Sequence, residues 1–239
     1  MVWLWTDVLV VLLLLAALFM VFYMRSQAHL KRPLAKLVAS PIAMGSFALL
    51  MSFALIGLMD SLHFKAEDSQ RNELVSLLDL ACTNMRTHTE TSYSAPFAAY
   101  AFNKQMLTGS DGSTYWGFAR LQHAATHLQV PEQQLLEDVL WQSVQALLQS
   151  FAVAGVLIGL AKYSNPRRFW FPGSIRTVWL VFTLIGSGLY WMWVLSHDYH
   201  VLGTDKVGED VLYQALKSIR TGLVIGCLTT LVMLPFALV

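Results

Sequence analysis

The chain has 239 residues, 56% of them hydrophobic and 13% charged, with a formal net charge of +1. A soluble domain carries about 25% charged residues, so this composition argues against a soluble enzyme. The small net charge leaves no field to attract nucleic acid, and two distant cysteines, Cys82 and Cys227, argue against a disulfide framework or a cysteine-based zinc site.

A membrane span needs about 20 mostly apolar residues. Taken in chain order, the stretches that qualify are 2–24, 38–59, 144–161, 177–195 and 219–239, the last still apolar at Val239. The first does not read as a cleavable signal peptide, because basic residues follow it instead of preceding it. Arg25, Lys31, Arg32 and Lys36 lie between the first two stretches, and Lys162, Arg167, Arg168 and Arg176 between the third and fourth, with no Asp or Glu in either loop. The positive-inside rule therefore places both loops in the cytoplasm and the N-terminus on the periplasmic side of a bacterial inner membrane. The expected fold is all-α: a polytopic helical membrane protein of about five transmembrane helices, in contact with membrane lipid.

Between the second and third stretches lies a polar insert, 65–143. Leu74, Leu77, Leu78, Ala81, Cys82 and Met85 have amphipathic helical spacing and predict a helix over 73–88. Residues 92–96 and 108–113 are rich in turn formers. Pro131 suits the first position of a helix that continues into the third span. The insert is expected to be a small helical domain outside the membrane.

The segment 200–226 reads HVLGTDKVGEDVLYQALKSIRTGLVIG. Gly203 allows a tight turn, and Thr204 or Asp205 can cap the helix that follows, with Glu209 and Asp210 in its first turn. This segment resembles the C-type inner-membrane permease subunits of peptide-class ABC importers (dipeptide, oligopeptide and nickel type). Leu202, Gly203, Thr204, Asp205, Gly208, Asp210, Val211 and Leu212 match that family's LGTD-x-x-G-R-D-V-L pattern in register, and Arg220 falls at its later basic position. Glu209 departs from the pattern, standing where the family has Arg. The core resemblance covers about residues 165–239. Looser similarity at DSLHF (60–64), SLLDL (76–80) and TSYSAPFA (91–98) suggests an extended variant with an extra helix pair and a periplasmic insert.

The resemblance implies a division into 1–64 (an N-terminal transmembrane helix pair), 65–143 (the periplasmic insert), 144–195 (transmembrane helices three and four) and 196–239 (the LGTD segment and the start of the permease core). It also implies partners: a second permease subunit, two ATPase subunits on the cytoplasmic side and a periplasmic solute-binding protein. The chain is expected to be the N-terminal part of such a permease, because it stops before an ATPase-coupling loop. The motif residues are expected to shape the outer segment structurally and not to bind substrate.

The remaining candidates read more plainly. His123 and His127 have the i, i+4 spacing of metal ligands, but Ala124 stands where a metalloprotease needs Glu, and a surface pair is the expected reading. His197, Asp198 and His200 are expected in a solvated loop. Asp7, near the outer end of its span, is expected to reach water. Gly155/Gly159 and Gly222/Gly226 form G-x-x-x-G pairs that permit close helix approach. With no phosphate-cradling loop, no nucleophilic triad and no implied cofactor, no enzymatic activity is expected. The competing reading is a membrane-anchored periplasmic scaffold or sensor built around the insert.

Overall fold

The structure, a computed structural model, describes residues 5–65, 74–109, 112–164 and 173–238. It is mostly helical. In chain order it comprises α1 (Trp5–Ser26), α2 (Ala28–Ala39), α3 (Pro41–Ser61), β1 (His63–Lys65), β2 (Leu74–Ser76), α4 (Leu77–Ala81), α5 (Thr83–Thr87), β3 (Tyr100–Thr108), β4 (Thr114–Arg120), α6 (Pro131–Ser164), α7 (Gly173–Leu195) and α8 (Val211–Leu238). Arg167 and Arg168 of the predicted basic loop lie outside the described residues.

Among the described residues, four helices are long and apolar enough to cross a membrane: Trp5–Ser26, Pro41–Ser61, Pro131–Leu160 and Gly173–Leu195. At most 17% of the most apolar stretch of each is buried within the chain. Side chains such as Leu15, Phe19 and Phe22 on α1, and Leu148 and Val156 on α6, stand exposed. A surface this apolar is stable in a bilayer and unstable in water. The fifth predicted span falls within α8, whose single run of 28 residues also takes in the amphipathic stretch before it.

The chain divides into two compact units, one formed by Met1–Ala81, Val153–Gly186 and Lys217–Val239, the other by Cys82–Ala152 and Ser187–Leu216. In the first unit, α2 stops at Ser40, whose Oγ accepts a hydrogen bond from the Ala43 amide while Pro41 opens α3. This is a standard N-cap followed by proline at the first helical position. Close helix approach occurs at Gly45 and Gly57: a Cβ at Gly45 would lie 3.1 Å from Thr177 Cγ2, and one at Gly57 only 2.9 Å from Leu223 Cδ1. The G-x-x-x-G glycines predicted for that role, Gly155, Gly159, Gly222 and Gly226, would meet nothing within 4 Å among the described residues. A small-residue pair permits approach, but it takes a facing helix to use it.

The insert departs from the all-helical expectation. Residues 73–88 do not form one helix. Ser76 ends a short strand paired antiparallel with β1, and the Asp79 amide donates to Ser76 Oγ while Asp79 Oδ2 accepts from the Ser76 amide. That reciprocal capping starts a new helix at Leu77 and stops any helix from running through from before it. Farther on, β3 and β4 form an antiparallel hairpin with Met106 opposite Trp116 and Lys104 opposite Phe118, closed by a turn containing Gly109 and Gly112. Its alternating aromatic residues have strand periodicity, which the helical reading of the insert passed over. In the second unit, Ala99, Ala125, Leu128 and Tyr199 form a buried core, with Phe97, Leu135 and Val139 packed against it. Residues of α6 thus complete the core beneath the insert, and α6 runs unbroken from Pro131 as its sequence predicts.

Gly57→Leu should destabilise the full chain in detergent by about 1–3 kcal/mol, because the added side chain must displace Leu223. Gly155→Ala and Gly222→Ala should leave thermal unfolding unchanged or raise its midpoint slightly, since alanine favours helix by about 1 kcal/mol over glycine. Equal losses at all three positions would contradict the packing described here.

Candidate functional site

The LGTD segment folds into a knot of backbone turns before α8. Gly203 and Gly208 both have positive φ, +77° and +85°. A Cβ on Gly203 would collide with the Ser94 carbonyl, and one on Gly208 with the Glu90 carbonyl. Both positions therefore require glycine for conformation and for space. Thr204 is buried: its Oγ1 donates to the Ser92 carbonyl at 2.8 Å, and its amide lies 3.1 Å from Ser94 Oγ. Asp205 closes the next turn, its Oδ1 accepting from the Val207 and Glu209 amides at 2.9 and 3.0 Å and its Oδ2 from the Gln214 side chain. The Gln214 and main-chain hydrogen bonds hold its carboxyl below the ordinary range. Leu202 is the exposed member of the set.

Asp210, and neither Thr204 nor Asp205, caps α8. Its Oδ1 accepts from the Leu212 and Tyr213 amides at 2.8 and 3.2 Å, so Glu209 and Asp210 precede the helix instead of forming its first turn. Its Oδ2 lies 2.8 Å from His200 Nδ1, and His200 Nε2 lies 3.6 Å from Glu90 Oε1. His200 is therefore a buried member of a carboxylate–imidazole–carboxylate row, not part of a solvated loop. Glu90 also accepts from the Gln122 and His123 amides at 2.8 and 2.7 Å. Burial pulls the His200 imidazole toward its neutral form, but the hydrogen bond to Asp210 and the charges of Asp210 and Glu90 prevail and raise its pKa to about 9. Burial pushes Glu90 up, and the nearby His200 imidazole and the two amide hydrogen bonds bring it below its ordinary value.

Arg220 sits in a second polar cluster, in the other unit. Its Nη2 lies 3.0 Å from Asp7 Oδ1 and also donates to Thr6, while its Nη1 lies 3.4 Å from Asp60 Oδ2. Asp7 Oδ2 is 3.0 Å from His63 Nδ1, Ser76 Oγ donates to Asp60 Oδ1, and Lys217 Nζ lies 3.0 Å from Asp79 Oδ1. Asp7 is 1% exposed, so the expectation that it reaches water is overturned. A buried carboxylate needs opposite charge and hydrogen-bond donors, and Arg220 and His63 stand at both of its oxygens.

Of the residues singled out in the sequence, the structure thus joins Gly203, Thr204, Asp205, Gly208 and Asp210 in one element and places Arg220 in another. It adds Glu90, Ser92 and Ser94 to the first and Asp7, Asp60, His63, Asp79 and Lys217 to the second. Sequence signals could have found part of the second group: on the expected topology Asp7, Asp60 and Arg220 all fall at the same side of the membrane, and Asp60, His63 and Asp79 lie in DSLHF and SLLDL. Ser92 and Ser94 lie in TSYSAPFA (91–98), which the looser similarity picks out, and nothing local marks Glu90.

The histidine candidates resolve differently. His123 and His127 lie in a loop and share no helical face. His127 lies 2.9 Å from Asp138, which also accepts from the Tyr199 hydroxyl. Burial and Asp138 together push the Tyr199 hydroxyl above its ordinary value. Among the described residues, no group of three or more His, Cys, Asp or Glu is arranged to hold a metal ion. No family model matches the chain, and neither a curated protein nor a solved structure matches it.

Arg220→Met should destabilise the chain by about 3–5 kcal/mol, because it leaves Asp7 and Asp60 buried beside an apolar side chain. Restoring much of that loss with Asp60→Asn in the same chain would establish the charge as the cause. For His200 the folded pKa is raised above the unfolded 6.5, so its contribution is complete below pH 6.5 and lost as pH rises through about 9. The stability gap between wild type and His200→Asn should shrink by about 3 kcal/mol over that interval. A gap independent of pH would contradict a charged His200.

Proposed function

We propose that this chain is a permease subunit of an ABC importer, contributing to the membrane path for peptides or a similar small solute. One observation carries the reading. Five of the residues that resemble the peptide-class permease pattern have a distinct physical task in a single element: Gly203 and Gly208 accept close backbone contact, Thr204 and Asp205 tie the turns, and Asp210 caps α8. A chance match to LGTD would have no reason to satisfy the downstream Gly and Asp in the same knot. The departure at Glu209 is local, since its carboxylate takes a hydrogen bond from Gln214.

On this reading the chain resides in a bacterial inner membrane with its N-terminus and insert on the periplasmic face. A periplasmic solute-binding protein delivers substrate, a second permease completes the path, and two ATPases on the cytoplasmic side supply energy. The polypeptide holds no nucleotide-binding loop in its sequence, so hydrolysis belongs to those partners.

A second reading, a membrane-anchored periplasmic scaffold or sensor, draws on the β3–β4 hairpin. Phe102, Met106 and Trp116 are each more than 60% exposed there, a surface suited to a protein partner.

A tagged chain purified in mild detergent from its native membranes should bring with it a second polytopic protein and two ATPases. Complexes that consistently lack all three, while a partner is lost on Trp116→Ser, would support the scaffold reading instead.

A further inference from the structure

His88 and His123 stack ring on ring, their centroids 4.7 Å apart and their planes within 1° of parallel. His88 follows α5, and His123 lies in the loop after β4. The same two segments are held together a second time, because Glu90 receives the Gln122 and His123 amides. His123 is therefore gripped through its ring by His88 and through its backbone by Glu90. Neither histidine is fully buried, so both rings can exchange protons with water.

The charges around this pair are lopsided. His88 is faced by His123, by His200 and His197 from the segment between α7 and α8, and by Glu90. Glu90 is the one carboxylate in that set, and it already serves the His200 imidazole. Asp210, on the far side of His200, is engaged with Nδ1 of that ring and with the first amides of α8. Two neutral imidazoles stack face to face without penalty. Two imidazoliums at this separation repel, and Glu90, the carboxylate that faces His88, is shared with the His200 imidazole. Partial burial, and then the neighbouring histidines, hold His88 below its ordinary pKa, in keeping with that geometry.

We propose that the His88–His123 stack is an acid-operated clasp: uptake of a second proton by the pair separates the rings and frees the loop after β4 from the segment 88–90. The balance is simple, since each ring gains one proton from solvent and no bond other than N–H forms. The inference concerns regulation of the insert and does not depend on the permease reading.

The test is hydrogen–deuterium exchange on the full chain in nanodiscs at pH 7.5 and 5.5, corrected for the intrinsic pH dependence of exchange. Protection of the Gln122 and His123 amides should fall at least tenfold at pH 5.5 in the wild type. His88→Phe keeps an aromatic ring on His123 and removes the second proton site, so protection there should stay high at both pH values. Equal protection of the wild type at both pH values would overturn the proposal, as would the same acid loss in His88→Phe. Should that variant not fold, ring-labelled histidine NMR on the wild type decides the matter. Two separated protonation steps for His88 and His123 support the clasp, and a single unperturbed step near pH 6.5 for both refutes it.

Discussion

A half-buried guanidinium held between two buried carboxylates organises the membrane-helix end of this protein. Arg220 belongs to α8, Asp7 to α1 and Asp60 to α3, so one side chain ties three helices that are far apart in sequence. Apolar helices in lipid have little hydrophobic reason to associate with one another, and a charged group among them has a strong reason to find its partner. The glycine at position 57 serves the same junction, because it lets Leu223 and the backbone of Arg220 come close enough for the guanidinium to reach Asp60. Lys217, one helical turn earlier, repeats the device with Asp79, and Ser76 links Asp79 to Asp60. Helix positions are thereby set by polar contacts at one end, while the apolar lengths remain free to face lipid.

The second unit solves a different problem with similar means. Its tight turns leave backbone amides that no helix or sheet satisfies, and carboxylates take them up. Asp205, Asp210 and Glu90 each accept from two amides. Three buried or turn-bound carboxylates need a compensating cation, and His200, between Glu90 and Asp210, is placed to be one. In the proposed clasp, the neighbouring histidine stack is the acid-sensitive part of this unit, because Glu90 is shared with His200.

The permease reading rests on how many constraints a short segment meets at once. Glycine without alternative at two positions, a buried threonine and a capping aspartate are each common alone. Their conjunction before a long apolar helix is what the resemblance described, and the structure adds a physical role to each member. The exposed aromatic hairpin of the insert, by contrast, has no counterpart in the motif.

Sequence alone determined the membrane class, the long apolar helices and the glycine-bearing turn at 203, because chain-local properties dictate each of these: apolar length, periodicity and permitted φ. It also located the start of α6 at Pro131. It misjudged 73–88, where the Ser76–Asp79 capping exchange cut an amphipathic pattern into strand and short helices, and it missed the hairpin at 100–120 by extending the helical class of its surroundings. Only tertiary structure decided that Asp7 is buried, that Asp210 rather than Thr204 caps α8, and that Glu90 and His200 belong to one charged row. The physical reason is that a buried charge is defined by its partner, and here the partners lie as far off as Asp7 from Arg220 or Glu90 from His200. No window of sequence contains both members of such a pair.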